Sequence, residues 1–332
     1  MPPPYRIFGL ELSPYSVKVR SYFRYKGIPH QWIVRSAATM DEFQRHAKLP
    51  LIPLVVTPEG EGLQDSTPII ELLERRHPEP ALQPTDPGLA FLSALLEEYA
   101  DEWGNKPMFH YRWTYEPDQE SAAERIARAN LPDASEGAVR KAADAIKQRM
   151  IPRLALVGSN EATADQIEGS FERQISLLER HLGARPYLLG GRPALADLGL
   201  FAQLHQCASD PTPGERMRKA APRVLAWIER MLEPRAMGAF EAWEALAPTL
   251  EPFLAREVAG LYFPWAEANA RALAAGEKRF EVELEGRPFV QDVQKYHARS
   301  LAALKARYTA VQHDGVLNAV LARTGCLSPL RG

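Results

Sequence analysis

LIPLVVTPEGEGLQDS, residues 51–66, is the stretch on which the fold turns. Leu54 to Thr57 is a short apolar, β-branched run and reads as a strand; Pro58-Glu-Gly-Glu-Gly62 is a turn, and a brief strand around Leu63 follows. Ser66-Thr67-Pro68 then opens a helix that ends near Arg76, because a hydroxyl side chain can cap free amides and an early proline is already shaped for the first turn. Upstream, Tyr5 to Leu10 reads as a buried strand, and Ser13-Pro14 opens a helix that Gly27 stops. His30 to Arg35, with Trp32 and Val34 alternating with polar neighbours, is a second strand, and Asp41 to His46 is a short helix. The order is β-α-β-α-β-β-α.

Beyond it, His77 to Gly88 contains four prolines in HPEPALQPTDPG and can continue neither a helix nor a ladder, so it reads as a linker. The expected division is residues 1–83, then 88–247, then 248–332. In the middle part apolar residues recur at helical intervals over Leu89 to Trp103, Ser121 to Ala129, Glu136 to Met150, Thr163 to Leu182, Leu195 to Ala208 and Pro222 to Leu232. A third region begins near Pro248. There Phe280, Val282 and Leu284 alternate with charge, Gly286-Arg-Pro288 reads as a turn into a strand at Phe289 to Gln291, and His297 to Val311 reads as an amphipathic helix.

Composition narrows the function classes. The chain has 332 residues, 45% of them hydrophobic, and 40 basic residues against 42 acidic ones leave a formal charge of −2. No global field attracts a polyanion, so nucleic acid is not an expected partner. The most basic short stretch, KVRSYFRYK from Lys18 to Lys26, reads as the wet face of an amphipathic helix. Only Cys207 and Cys326 occur, which excludes a disulfide framework and a four-cysteine zinc site and points to a reducing cytoplasm. The start, MPPPYRIFGL, lacks the basic and long apolar segments of a signal peptide, and no apolar run is long enough for a membrane span. No metal-binding, Walker A or dinucleotide pattern is present.

Taken with the strand order, Ser13-Pro14-Tyr15-Ser16, Leu51-Ile52-Pro53-Leu54 and Gln64-Asp65-Ser66 resemble the glutathione site of the glutathione transferase superfamily, in its bacterial, serine-type form. Read singly, Ile52-Pro53 starts an edge strand, and Asp65-Ser66 and Ser13-Pro14 are helix caps. The resemblance implies an α/β thioredoxin-like N-terminal domain, an all-α C-terminal domain and an added C-terminal extension. It implies that Ile52 pairs its backbone with glutathione before a cis Pro53, that Ser66 and the free amides beyond it take the γ-glutamyl carboxylate, and that Asp65 takes the ammonium. Ser13 would stabilise the thiolate as a hydrogen-bond donor, with Tyr15 and Ser16 as rival donors. Serine in place of cysteine disfavours exchange through a mixed disulfide.

In the second half, Tyr187 to Asp197 resembles the start of the family's buried helix, with Ala194 where relatives carry a capping hydroxyl. The aromatic cluster Trp103, Phe109, His110, Tyr111, Arg112 and Trp113 either packs a core or contacts a second substrate. The expected activity is conjugation of glutathione, as co-substrate and without a metal, to a small hydrophobic electrophile, or its use as a reductant, in a homodimer. The alternative is a non-catalytic protein that kept the fold for binding.

Overall fold

The computed structural model describes residues 3–332; the first two residues of the MPPP leader lie outside them. Strand β1 (Tyr5–Gly9) pairs in parallel with β2 (His30–Val34) and antiparallel with β3 (Leu54–Val56), which pairs antiparallel with β4 (Gly62–Gln64), in the order β2-β1-β3-β4. Helices α1 (Pro14–Lys26), α2 (Met40–His46) and α3 (Ser66–Arg76) interleave with them in the expected order. The period of two sorts the apolar side chains onto two faces. Ile7 and Val55 pack with α1 and α3, whereas Phe8, Leu54 and Val56 pack with Phe43 of α2.

The basic residues of α1 are not a wet face. Lys18 is completely buried and Arg20 and Lys26 nearly so, because the helix lies between α3 and the helical half. Each is paired: Lys18 with Glu97 and Asp101, Arg20 with Glu11, Lys26 with Glu74. The apolar residues of this helix were legible, but the partners that let Lys18 and Lys26 leave water are remote in sequence.

After the linker come α4 (Pro87–Glu102), α5 (Asn105–Thr114), α6 (Glu116–Asn130), α7 (Glu136–Met150), α8 (Ala164–His181), α9 (Leu195–Ser209), α10 (Pro211–Ala220) and α11 (Pro222–Leu232). Helix α9 is apolar on nearly every side and fills the centre, against α4 and α1.

The last quarter is continuous with this core. Helix α12 (Trp243–Phe253) runs through Pro248 and Pro252, and a π-helical segment (Leu254–Tyr262) leads into α13 (Phe263–Ala274). A hairpin of β5 (Arg279–Leu284) and β6 (Arg287–Asp292) follows, then α14 (Lys295–Val311), α15 (Gly315–Thr324) and α16 (Leu327–Arg331). The hairpin turn is shorter than the expected Gly286 to Pro288. It consists of Glu285 and Gly286 at φ 52° and 77°, the left-handed pair that matches strand twist, so Arg287 and Pro288 already belong to β6. Aromatic contacts join old and added parts: Trp103 to Trp265 at 5.8 Å, Trp103 to Phe289 at 5.6 Å and Tyr99 to Phe253 at 5.2 Å between ring centroids.

Candidate functional site

A cleft of about 570 Å³ opens at the edge of the sheet beyond β4, lined among others by Tyr15, Ile52, Pro53, Asp65, Ser66 and Tyr296. Its floor comes from the stretch that decided the fold. The Ile52–Pro53 peptide is cis. Among the described residues neither the N–H nor the C=O of Ile52 has a protein partner. Gln64 splints the neighbouring loop: its side chain accepts from the N–H groups of Lys48 (2.8 Å) and Leu49 (2.9 Å) and donates to the carbonyls of Leu49 (2.8 Å) and Leu51 (2.7 Å). One amide side chain thus replaces the ladder that this loop cannot form.

Asp65 precedes α3 with φ 76° and ψ 122°, a conformation that disfavours any side chain. Its carboxylate makes no cap bond and is exposed to the cleft, so the simple helix-cap assignment does not hold for it. Ser66 is buried at the first position of the helix. Pro68 has no N–H, which leaves the amides of Ser66 and Thr67 as the free donors at the positive end of α3.

Beneath that turn lies a cluster of charge not anticipated from sequence. Lys18 Nζ reaches Asp101 at 2.6 Å, Thr67 at 3.2 Å and Ser66 at 3.5 Å, and it also pairs with Glu97. Burial pushes the carboxyls of Glu98 and Glu102 up to about 8, with neighbouring carboxylates adding to the effect. Asp101 is pushed up by burial as well, since Lys18 alone faces both it and Glu97. The signal was LEEYADE on α4, where Glu97 and Asp101, and Glu98 and Glu102, are spaced to share faces of one helix.

Ser13 caps α1, half-buried, two residues before Tyr15. Its Oγ accepts from the Ser16 N–H at 3.3 Å and from the Ser16 hydroxyl at 2.9 Å. Both incoming bonds use lone pairs, so the proton of Ser13 remains to be donated. Ser16 is buried and its proton is committed to Ser13. The Tyr15 hydroxyl is also committed, donating to the Asp101 carbonyl at 2.9 Å and accepting from Asn105 at 3.3 Å; burial first, then Asp101 and Glu102, holds the phenol neutral. Ser13 itself does not line the cleft, but its neighbour Leu12 lines a second cavity of about 320 Å³ with Leu10 and Ile126.

The five candidates for second-substrate contact lie elsewhere. Trp103 caps α4, and Phe109, His110, Arg112 and Trp113 sit on α5. Trp103, His110, Arg112 and Trp113 are buried. Trp103 donates to Ser170 at 2.9 Å, and His110 is held between Ser159 at 2.8 Å and Glu168 at 3.2 Å. Arg112 meets Asp210 at 2.7 Å, Gln206 at 2.8 Å and the Leu12 carbonyl at 2.9 Å, so it fixes the loop before Ser13 from behind. Phe109 is the one of the five that is partly exposed. The four buried side chains are packed, His110, Arg112 and Trp113 on α5, which α6, α8 and α9 enclose, and Trp103 against Trp265 and Phe289.

Among the described residues no three His, Cys, Asp or Glu side chains gather to hold a metal ion, and no helix is long and apolar enough to cross a membrane. Residues 7–81 match the family description "Glutathione S-transferase, N-terminal domain", and residues 161–230 match "Glutathione S-transferase, C-terminal domain". The isoprene-epoxide–glutathione S-transferase of Rhodococcus sp. (strain AD45) is 25% identical over 230 residues, which cover 67% of this chain and 92% of that protein. The crystal structure of a glutathione S-transferase from Methylobacterium radiotolerans in complex with glutathione sulfonate covers 72% of this chain and 99% of its own, at 21% identity and a TM-score of 0.45. A glutathione S-transferase from Methylobacillus flagellatus with glutathione bound covers 69% and 95%, at 19% identity and a TM-score of 0.42. Both domain descriptions of the glutathione S-transferases are thus matched, in their order along the chain.

Proposed function

We propose that the protein is a glutathione-dependent enzyme that activates the glutathione thiol at Ser13 and joins its sulfur to a small apolar electrophile. The observation that carries this reading is the convergence of Ile52, cis Pro53, Asp65 and Ser66 on one cleft. The open N–H and C=O of Ile52 suit the cysteinyl backbone of glutathione, taken up as an added strand. The Ser66 hydroxyl and the free amides of α3 suit the γ-glutamyl carboxylate, and Asp65 suits the ammonium.

The sulfur then lies at the start of α1, where the Ser16 hydroxyl donates into Ser13 and Ser13 donates to the thiolate. Ser13 stands in the chain between Tyr15, which lines the cleft, and Leu12, which lines the apolar cavity with Ile126. That cavity is the proposed place of the electrophile, in preference to the buried residues of α5. The relative in Rhodococcus is named for an epoxide, and the chemistry fits one: a sulfur lone pair forms the S–C bond while a ring C–O bond breaks and the alkoxide takes a proton from water. Used as a reductant of a hydroperoxide instead, the thiolate sulfur would take the terminal peroxide oxygen as the O–O bond breaks and the alcohol leaves, and a second glutathione thiol would then attack the sulfenic sulfur and release water and glutathione disulfide. The same reading makes the protein a cytoplasmic homodimer. Light scattering that returns 37.1 kDa, the mass of one chain, would reject the dimer, and recovery in another cell fraction would reject the location.

Calorimetry with glutathione tests the foundation. One glutathione per chain should bind, and a hundredfold excess over its dissociation constant should stabilise the fold by about 2.7 kcal/mol in a thermal melt. Absence of both heat and shift removes the reading. Binding without turnover of any epoxide, alkyl halide or hydroperoxide would leave the non-catalytic alternative.

A further inference from the structure

The expected glutathione cleft includes a residue from the last quarter of the chain. Tyr296, at the start of α14, lines the cleft with Asp65 and Ser66 and directs its hydroxyl to both carboxylate oxygens of Asp65, at 3.3 Å each. On its other side lies a cavity of about 280 Å³ lined by Glu98, Asp101, Glu102, Arg299 and Arg307, which shares Asp65, Pro68 and Tyr296 with the cleft. The tyrosine ring is therefore the partition between the two.

Its position is fixed by the residues that follow it. His297 hydrogen-bonds Glu102 and meets the Trp265 ring edge-on at 4.9 Å. Burial pushes the imidazole down to about 3 and the carboxyl up to about 8, so near neutrality the contact joins a neutral acid to a neutral base. Ser300 donates to Glu98 at 2.6 Å, and Arg307 pairs with Glu71 of α3 at 2.6 Å. The helix is thus pinned to α4 and α3 on either side of the Asp65 turn.

We propose that Tyr296 completes the γ-glutamyl subsite as a positioning and specificity residue. Asp65 occupies a disfavoured backbone conformation without a cap bond, and the Tyr296 hydroxyl is the side-chain donor that orients its carboxylate. At 3.3 Å to each oxygen the contact is longer than an ordinary O–H···O bond, which leaves lone pairs open to an arriving ammonium. The ring closes the end of the cleft, so the ligand's ammonium meets Asp65 and not the acidic cavity behind it. This rests on the glutathione reading above.

Calorimetry of the full-length wild type, Tyr296→Phe and Tyr296→Ala with glutathione and with N-acetylglutathione, which lacks the ammonium, tests both levels separately. Loss of the hydroxyl in Tyr296→Phe should weaken glutathione about tenfold. Loss of the wall as well in Tyr296→Ala should weaken it further. N-acetylglutathione should bind Tyr296→Phe as it binds the wild type, and kcat at saturating glutathione should stay within about twofold in that variant. The ring is half exposed, so unchanged melting temperatures should accompany these losses. Wild-type protein that binds glutathione while both variants bind it equally well would overturn the role of Tyr296. A parallel loss for both ligands in Tyr296→Phe would overturn the ammonium assignment. Failure of the wild type to bind glutathione would instead overturn the reading beneath.

Discussion

A Ser13→Ala protein is expected to bind glutathione within about twofold of the wild type and to turn over about a hundredfold more slowly. The asymmetry follows from which state needs the proton. Ser13 already accepts two hydrogen bonds from Ser16, so its one remaining function is to donate. A neutral thiol is a poor acceptor and gains little from that donation, whereas a thiolate gains a charge-assisted bond next to the positive end of α1. Without it the bound thiol returns toward its free pKa of about 8.5. The ultraviolet absorbance of bound thiolate, followed against pH in both proteins, reads this directly. An unchanged titration with unchanged turnover would move the donor away from Ser13. A return of activity in Ser13→Thr but not in Ser13→Ala would identify the hydroxyl as the group that matters.

The largest effect on stability is expected at Asp197, far from the cleft. This carboxylate is completely buried at the start of α9, where Oδ2 accepts the Ala194 N–H at 2.9 Å and Oδ1 accepts the Leu188 N–H at 2.8 Å and the Trp227 indole N–H at 2.9 Å. Ala194 supplies no side-chain oxygen, so Asp197 alone ties the helix start to the preceding turn and to α11. Burial pushes its carboxyl up to about 7 against the pull of those three donors. Asp197→Ala strands all three in a dry site, at a cost on the order of 4 kcal/mol, or about 6 °C in melting temperature for a chain of this size. Asp197→Asn should lose less, since one oxygen is kept. Chemical denaturation of both variants checks this, and a loss below about 1 kcal/mol for Asp197→Ala would mean that water replaces the carboxylate.

The first half was legible because its signals are local. Ser13-Pro14, Gly27, the Pro58 to Gly62 turn and Ser66-Thr67-Pro68 each declare an element boundary within a few residues, and α1 and α3 follow them. Elsewhere proline is no stop. Pro211, Pro213 and Pro107 lie in the first turns of α10 and α5, where no helical donor is lost, whereas α12 runs through Pro248 and Pro252 and forms because tertiary burial outweighs the missing donors. In α12 the buried residues Leu246, Leu250 and Phe253 recur at helical spacing, which was the available sign. In the cleft, Ile52, Pro53, Asp65 and Ser66 were nameable from neighbouring positions, whereas Tyr296 stands 231 residues from Asp65. No local pattern connects them; only the docking of α14 onto α4 does.

The rings of Trp103, Trp265 and Phe289 bear on truncation as well as on packing. A stop placed before Trp265 or Phe289 would strip cover from apolar groups that the central helices share and leave a sticky, poorly folded form.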